Sequence, residues 1–470
     1  MLKALEKRFR LTERQTTIKT ETGSGATTFL TSIYIMFING ILLSATGMPI
    51  KGVFVATALA AFACTLIVAL YADLPLAMAP NMGTNALFAS AICLGLGYHW
   101  KEALAIAFVA GVLHLIIAVT PARRAVLVSI PEHLGVAIGA GLGLLIAYIA
   151  VQSTGLFATI SSTATTPAPM FASIYRGVDS TWYISIISMV IMLGLLAMER
   201  KTGLRYGALP ISIIAATFIC APFRSTNLQM PTDSLVSAFR DFKTIFMSFF
   251  GSPGLLSLFA NPMKALNSIL IIMLFSLTNL LDSLGAIIAF RQMRTANLFD
   301  AGERDRAIAN KKVPRIGRAM ISNALGGVIS PLLGVSASSI YLESTAGVIY
   351  GGRTGLAALV TALLFLCCIP FSNFFRIIPF AAVTPVMIYA GGTMISRLNA
   401  VNWRFIEEGL PAFLIILIIP TTGSIVDGVC AGLICHIVIT AFMGKRKTIH
   451  PALYIISLAY LFARVADRIL

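Results

Sequence analysis

The sequence predicts an all-α polytopic membrane protein with fourteen transmembrane segments arranged as two inverted sets of seven. Three observations predict it. Of the 470 residues, 57% are hydrophobic and 11% charged, with mean hydropathy +0.88, whereas soluble domains carry roughly 25% charged residues. Apolar runs of roughly the 20-residue length that spans a bilayer as helix recur along the whole chain. The basic residues gather in short connections between those runs, the pattern left by cytoplasmic retention of Lys and Arg.

The apolar segments fall at 27–45, 52–72, 82–97, 101–119, 133–150, 183–198 and 207–222, and then at 266–290, 319–333, 342–351, 355–371, 378–396, 408–421 and 424–442. The third member of each set, 82–97 and 342–351, is short. A last stretch, 450–466, carries Arg464, Asp467 and Arg468 near its end and reads as a peripheral or extra helix.

With the N-terminus inside, the even-numbered connections are cytoplasmic. They hold Arg123 and Arg124, then Arg200, Lys201 and Arg205, then Arg353, then Arg397 and Arg404, and the 291–318 connection is strongly basic. The long odd connections, 151–182 and 223–265, are rich in Ser, Thr and Pro with few basic residues. Both termini are therefore expected in the cytoplasm, with a multi-pass chain in the cell membrane. The charged start "MLKALEKRFRLTERQTTIK" lacks the apolar core and cleavage site of a signal peptide. An odd-numbered unit inserted twice must enter the second time upside down, the plan of many secondary transporters. Paired echoes agree: "LPLAMAPNMGTNALFAS" with "LLGVSASSIYLESTAGV", and "SIPEHLGVAIGAGLG" with "IIPFAAVTPVMIYAGG".

Several function classes drop out. The net charge of +16 lies in connecting loops, so nucleic acid is not an expected partner. The seven cysteines sit almost entirely in apolar runs without CxxC spacing, and the five histidines are scattered without an HExxH. No Walker motif is present. Neither a metal, a cofactor nor an enzymatic site is expected, because a membrane enzyme would cluster His, Asp or Cys at one membrane face.

The intramembrane acids are the informative residues, since a carboxylate at that depth is costly and usually functional. Asp282, in "FSLTNLLDSLGAIIAF", shares a helical face with Asn279 and Thr278. Glu343 follows the extended-looking, serine-rich "GVSASSIYL" and precedes a short helix, which reads as strand then half-helix. An ordinary helix-start role for Glu343 is the blander alternative. The first-half counterpart "APNMGTNALF" offers Asn81, Gly83 and Asn85 in the same geometry. An amide such as Asn85 both donates and accepts, which suits a heteroaromatic edge. Asp427, just after "TTGS", fits a capping or helix–helix role as well as a substrate role.

At these motifs the chain resembles the nucleobase/ascorbate transporter superfamily, in its adenine/guanine/hypoxanthine permease branch. The matching pieces are "GATTFLTSIYIMFINGILLSATGMP", "LPLAMAPNMGTNALFAS", "DSLGA", "IPTTGSIVDGV" and the long run "VPRIGRAMISNALGGVISPLLGVSASSIYLESTAGVIYGGRTGLAALVTALLFL". The resemblance implies a core domain of 27–120 and 266–371 and a gate domain of 130–225 and 378–442. A cytoplasmic segment, 1–26, would precede them, and a tail, 443–470, would follow. It implies inward movement of a purine base (adenine, guanine, hypoxanthine or xanthine) with a proton, alternating access between core and gate, and it allows a gate-mediated homodimer. The family's eighth- and tenth-helix carboxylates fall on Asp282 and Glu343, and both enter proton coupling. Gly83 and Asn85 match its third-helix motif, Ser339 joins them from the extended stretch, and the late acid falls on Asp427. Many members carry a second acid where this chain has Asn279, which cannot titrate. The alternative is a transporter of another small heterocycle or of an anion on the same scaffold.

Overall fold

The computed structural model describes residues 2–120, 131–153, 180–202, 208–219, 235–292, 314–341, 343–372, 380–422 and 425–445, with 453–454 and 457–458. The chain is a bundle of apolar helices with a small two-stranded sheet inside it. Among the described residues, five helical stretches are long and apolar enough to cross a bilayer, including Ile18–Ser44, Ile50–Ala72 and Trp100–Val119.

In chain order, a short helix α1 (Leu2–Phe9) precedes α2 (Ile18–Ser32) and α3 (Tyr34–Ser44), which continue one another past Ile33. The helix α4 (Ile50–Ile67) ends in a widened π turn, Val68–Ala72. Strand β1 (Met78–Pro80), half-helix α5 (Met82–Ala86) and a π-helical run, Leu87–Gly95, make the broken third segment. Next come α6 (Trp100–Val119), α7 (Glu132–Ser153), α8 (Ser180–Thr202), α9 (Ala208–Ile219) and α10 (Leu235–Ile245). The second half holds α11 (Pro262–Gln292), α12 (Pro314–Leu333), strand β2 (Ser338–Ile340), half-helix α13 (Ser344–Tyr350), α14 (Gly355–Leu366), α15 (Phe380–Ile395), α16 (Ile406–Thr422) and α17 (Ile425–Phe442).

Among the described residues, helices fall within the segments drawn from hydropathy, with two differences in extent. The first begins at Ile18 rather than 27, because Thr17 caps it by accepting from the Thr20 N–H at 3.2 Å and polar Glu21 and Ser24 are buried inside the bundle. The 223–265 connection contains α10, whose mixed sequence "LVSAFRDFKTI" hides a face: Ala238 and Ile245 are buried while Val236 and Phe239 are exposed, and the helix packs against α4. The 151–182 and 291–318 connections and the 450–466 stretch lie largely outside the described residues.

Hydrophobicity alone gives helices little reason to associate in lipid, so close backbone approach carries much of the packing. A Cβ on Gly111 of α6 would sit 2.1 Å from the Gly327 carbonyl oxygen of α12, and a Cβ on Gly143 of α7 would sit 2.5 Å from that of Gly391 in α15. These two contacts belong to two groups of helices: α2, α4, α6, α12 and α14 pack among themselves, as do α7, α8, α15, α16 and α17. The groups meet where α3 reaches α15 and α5 reaches α7. Apolar side chains such as Val190, Leu193 and Phe218 face outward, where lipid tails take the place of water.

Candidate functional site

Irregular backbone inside a membrane protein must find its hydrogen bonds within the protein, and the strand pair shows how this chain does so. β1 and β2 run antiparallel, with Met78 opposite Ile340 and Pro80 opposite Ser338. Both faces are buried. Thr65 of α4 serves Met78 twice, accepting from its N–H at 2.9 Å and donating to its carbonyl at 2.8 Å. Asn323 of α12 accepts from the Ile340 N–H at 2.9 Å. At opposite ends of the ladder the pattern repeats: the Asn81 N–H bonds the Ala337 carbonyl at 3.2 Å, and the Tyr341 N–H bonds the Ala77 carbonyl at 2.9 Å.

Because the strands are antiparallel, α5 and α13 leave the ladder from opposite ends. Their N-termini therefore meet it from opposite sides, which concentrates backbone N–H groups and the positive ends of two helix dipoles around one short sheet.

Each residue expected from the sequence can now be placed. Asn81 caps α5, with Oδ1 accepting from the Gly83 N–H at 2.9 Å, and its Nδ2 donates to Ser339 Oγ at 2.7 Å. Gly83 and Ser339 are thus joined through Asn81, and Ser339 is fully buried. Asn85 is also fully buried; its Oδ1 accepts from the Ser336 hydroxyl, and its Nδ2 has no partner among the described residues. Asn279 lies in α11 with its Oδ1 buried and without a partner among the described residues, and its Nδ2 would be 2.8 Å from a Cβ on Gly327. Two orphaned amide atoms, one donor and one acceptor, are polarity suited to a ligand carrying both functions.

Glu343 stands at the cap position of α13 but makes no cap bond with its side chain. Its carboxylate oxygen Oε1 instead accepts from the Tyr34 hydroxyl at 2.5 Å, and its carbonyl accepts from Thr31 Oγ1 at 3.3 Å. Asp282 sits on α11 within one helical turn of Asn279 by backbone; its side chain lies outside the described residues. Asp427 is in the first turn of α17, half-buried, away from the strand ladder in chain order. No group of three or more His, Cys, Asp or Glu among the described residues could hold a metal ion.

Sequence reasoning missed Tyr34, Thr31, Ser336 and Tyr341, whose hydroxyl donates to the Pro80 carbonyl. Tyr34 in "SIYIMF" reads as one more apolar position of its segment. Only the crossing of α2 and α3 past α13 gives it a charged partner.

Two broken helices that meet at an internal sheet, inside a bundle of apolar helices, define a multi-pass membrane transporter. The comparisons with known proteins agree. The model of the permease family Xan_ur_permease matches residues 20–431, and the chain belongs to that family, the nucleobase/ascorbate transporters; it is a permease and not an enzyme. It is 32% identical to the guanine/hypoxanthine permease PbuO of Bacillus subtilis (strain 168), over 96% of this chain and 98% of that one. It is 30% identical to the adenine permease AdeP of Escherichia coli (strain K12), over 97% and 95%. In fold it is similar to the transmembrane domain of the cyanobacterial bicarbonate transporter BicA, with TM-score 0.57 and 14% identity over 88% of this chain and 97% of that one.

Proposed function

We propose that the protein is a proton-coupled importer of purine nucleobases. The observation that carries this reading is the site itself: a carboxylate, Glu343, at the start of a half-helix, across a strand pair from the capped half-helix that holds Asn85. Curated relatives over nearly the full length are guanine/hypoxanthine and adenine permeases, which supports a purine base as the substrate.

In the reading, Glu343 accepts a base N–H and Asp282, carried by α11, is the second carboxylate of the site. One of these two carboxylates is assigned the proton that moves with the base. The orphaned Asn85 Nδ2 meets a ring nitrogen or carbonyl, and Asn279 Oδ1 accepts an N–H. Gly83 and Ser339 shape the pocket through Asn81, and Asp427 supports the gate. Loss of the proton to the cytoplasm weakens binding and releases the base.

The proposal includes the fourteen-segment inverted repeat, the core of 27–120 and 266–371 rocking against the gate of 130–225 and 378–442, and both termini in the cytoplasm. The repeated bonding of Asn81 to Ala337 and of Tyr341 to Ala77 supports the repeat. The bicarbonate and other anion transporters that share the fold bear on architecture alone, and acids at Asp282 and Glu343 disfavour an anion as cargo.

The test is uptake of radiolabelled guanine, hypoxanthine and adenine into cells lacking their own purine permeases, with and without a proton uncoupler. Glu343→Gln is expected to reach the membrane at wild-type level yet to lose concentrative uptake. Normal accumulation by Glu343→Gln, or competition by bicarbonate or sulfate but not by purines, overturns the reading.

A further inference from the structure

We propose that Tyr34 is the positioning residue for Glu343, holding its carboxylate in the orientation that receives a purine N–H. The inference rests on the reading above and adds to it a residue at the start of α3.

The helix carrying Tyr34 is interrupted at Ile33, between α2 and α3. Thr31 and Tyr34 lie one helical turn apart on either side of that interruption, which puts both hydroxyls toward one neighbour. Both reach the same residue: Thr31 Oγ1 donates to the Glu343 carbonyl at 3.3 Å and the Tyr34 hydroxyl donates to its Oε1 at 2.5 Å. Glu343 is thus gripped at its backbone from the end of α2 and at its side chain from the start of α3. Farther along the same half-helix, Ser24 Oγ donates to the Gly347 carbonyl at 2.8 Å, so α2 follows α13 along its length.

Tyr34 is 4% exposed, so its hydroxyl has no water to fall back on and stays on the carboxylate. A carboxylate has about four lone-pair sites over its two oxygens, and the Tyr34 hydroxyl fixes the orientation of one of those oxygens. Tyr34 opens α3, and α3 packs against α15 of the other group of helices. The Tyr34–Glu343 pair therefore stands at the seam between the two groups, where a rotation of one against the other would be felt.

The experiment compares purified wild-type protein with Tyr34→Phe, which removes one oxygen and keeps the buried ring. Binding of guanine, hypoxanthine and adenine is measured by calorimetry, counterflow exchange in proteoliposomes supplies KM and Vmax, and melting in detergent reports the fold. The expected result is Kd and KM raised about tenfold, the scale of a lost hydrogen bond to a charged group, with Vmax within about twofold and melting unchanged. Unchanged Kd, tightened Kd, or a loss of affinity accompanied by lower melting temperature and lower Vmax overturns the role. A wild-type protein that binds none of the three bases overturns the purine reading itself. Wild-type binding with an indifferent Tyr34→Phe overturns only the role of Tyr34.

Discussion

The Asn81 side chain closes two structures at once: its Oδ1 caps α5 through the Gly83 N–H at 2.9 Å, and its Nδ2 reaches Ser339 Oγ on the opposing strand at 2.7 Å. A half-helix from the first part of the chain and a strand from the second are thereby tied by a single amide. Asn81→Ala should remove the cap and leave the buried Ser339 hydroxyl without its donor, at a cost of about 1–3 kcal/mol. Ser339→Ala should cost less, because the cap remains. Melting temperatures of the detergent-solubilised variants decide it, and equal stability of Asn81→Ala and wild type would refute the double role.

Thr65 is the polar neighbour on which β1 depends, since its hydroxyl pairs with both the N–H and the carbonyl of Met78. Thr65→Val preserves shape and strands two buried backbone groups, so a loss of about 2–6 kcal/mol is expected, at about 1–3 per orphaned group. The loss should appear as a lower yield of folded protein by fluorescence-detected size exclusion. A variant eluting and melting like wild type would show that another group serves Met78.

The glycine contacts separate packing from mere flexibility. Gly111→Ala and Gly143→Ala place a methyl group 2.1 Å and 2.5 Å from carbonyl oxygens of the facing helix, so each should push its helices apart and lower membrane expression severalfold. Gly139→Ala meets nothing within 4 Å and should be neutral or slightly stabilising through helix propensity. If all three variants behave alike, close approach is not what holds these helices.

Glu21 is fully buried, yet its carboxylate is well supplied. Oε1 accepts from the Arg353 N–H at 2.9 Å and Thr16 Oγ1 at 2.9 Å, and Oε2 accepts from the Thr354 and Ala357 N–H groups at 3.3 Å. It thereby fastens α2 to the positive N-terminal end of α14. Beside it, Arg14 pairs with Asp73 at 2.5 Å, and Asp73 Oδ1 takes the Gly355 N–H at 2.9 Å. Glu21→Gln should destabilise by about 1.5–3 kcal/mol, because an amide turns donors toward donors. The effect should change little between low and high salt, since buried charges are weakly screened. A thermal-melt series over salt concentration checks both statements, and a strongly salt-dependent difference would place Glu21 in water.

Membrane class, segment positions and the strand-then-half-helix character around Glu343 were legible because each depends on local composition. Apolar run length, the Ser-rich β-compatible stretch before Glu343 and the cost of an acid at depth are properties of neighbouring residues in the chain. The start of the first helix and the existence of α10 were not legible, because in both a polar or mixed pattern is stabilised by distant partners: Glu21 by the start of α14, and α10 by α4.

At the site, the sequence by itself determined which groups would be costly to bury, and so pointed to Glu343, Asp282 and the Asn81–Asn85 stretch. What those groups bond was decided only by tertiary structure. The Asn85 oxygen went to Ser336, the Asn81 amide to Ser339, and the Glu343 carboxylate to Tyr34, a residue more than three hundred positions away. The physical reason is the antiparallel strand pair: it brings the broken segments together in a register that no local pattern encodes. Most buried polar atoms then take a partner from whatever that register places beside them, while Asn85 Nδ2 and Asn279 Oδ1 take none among the described residues.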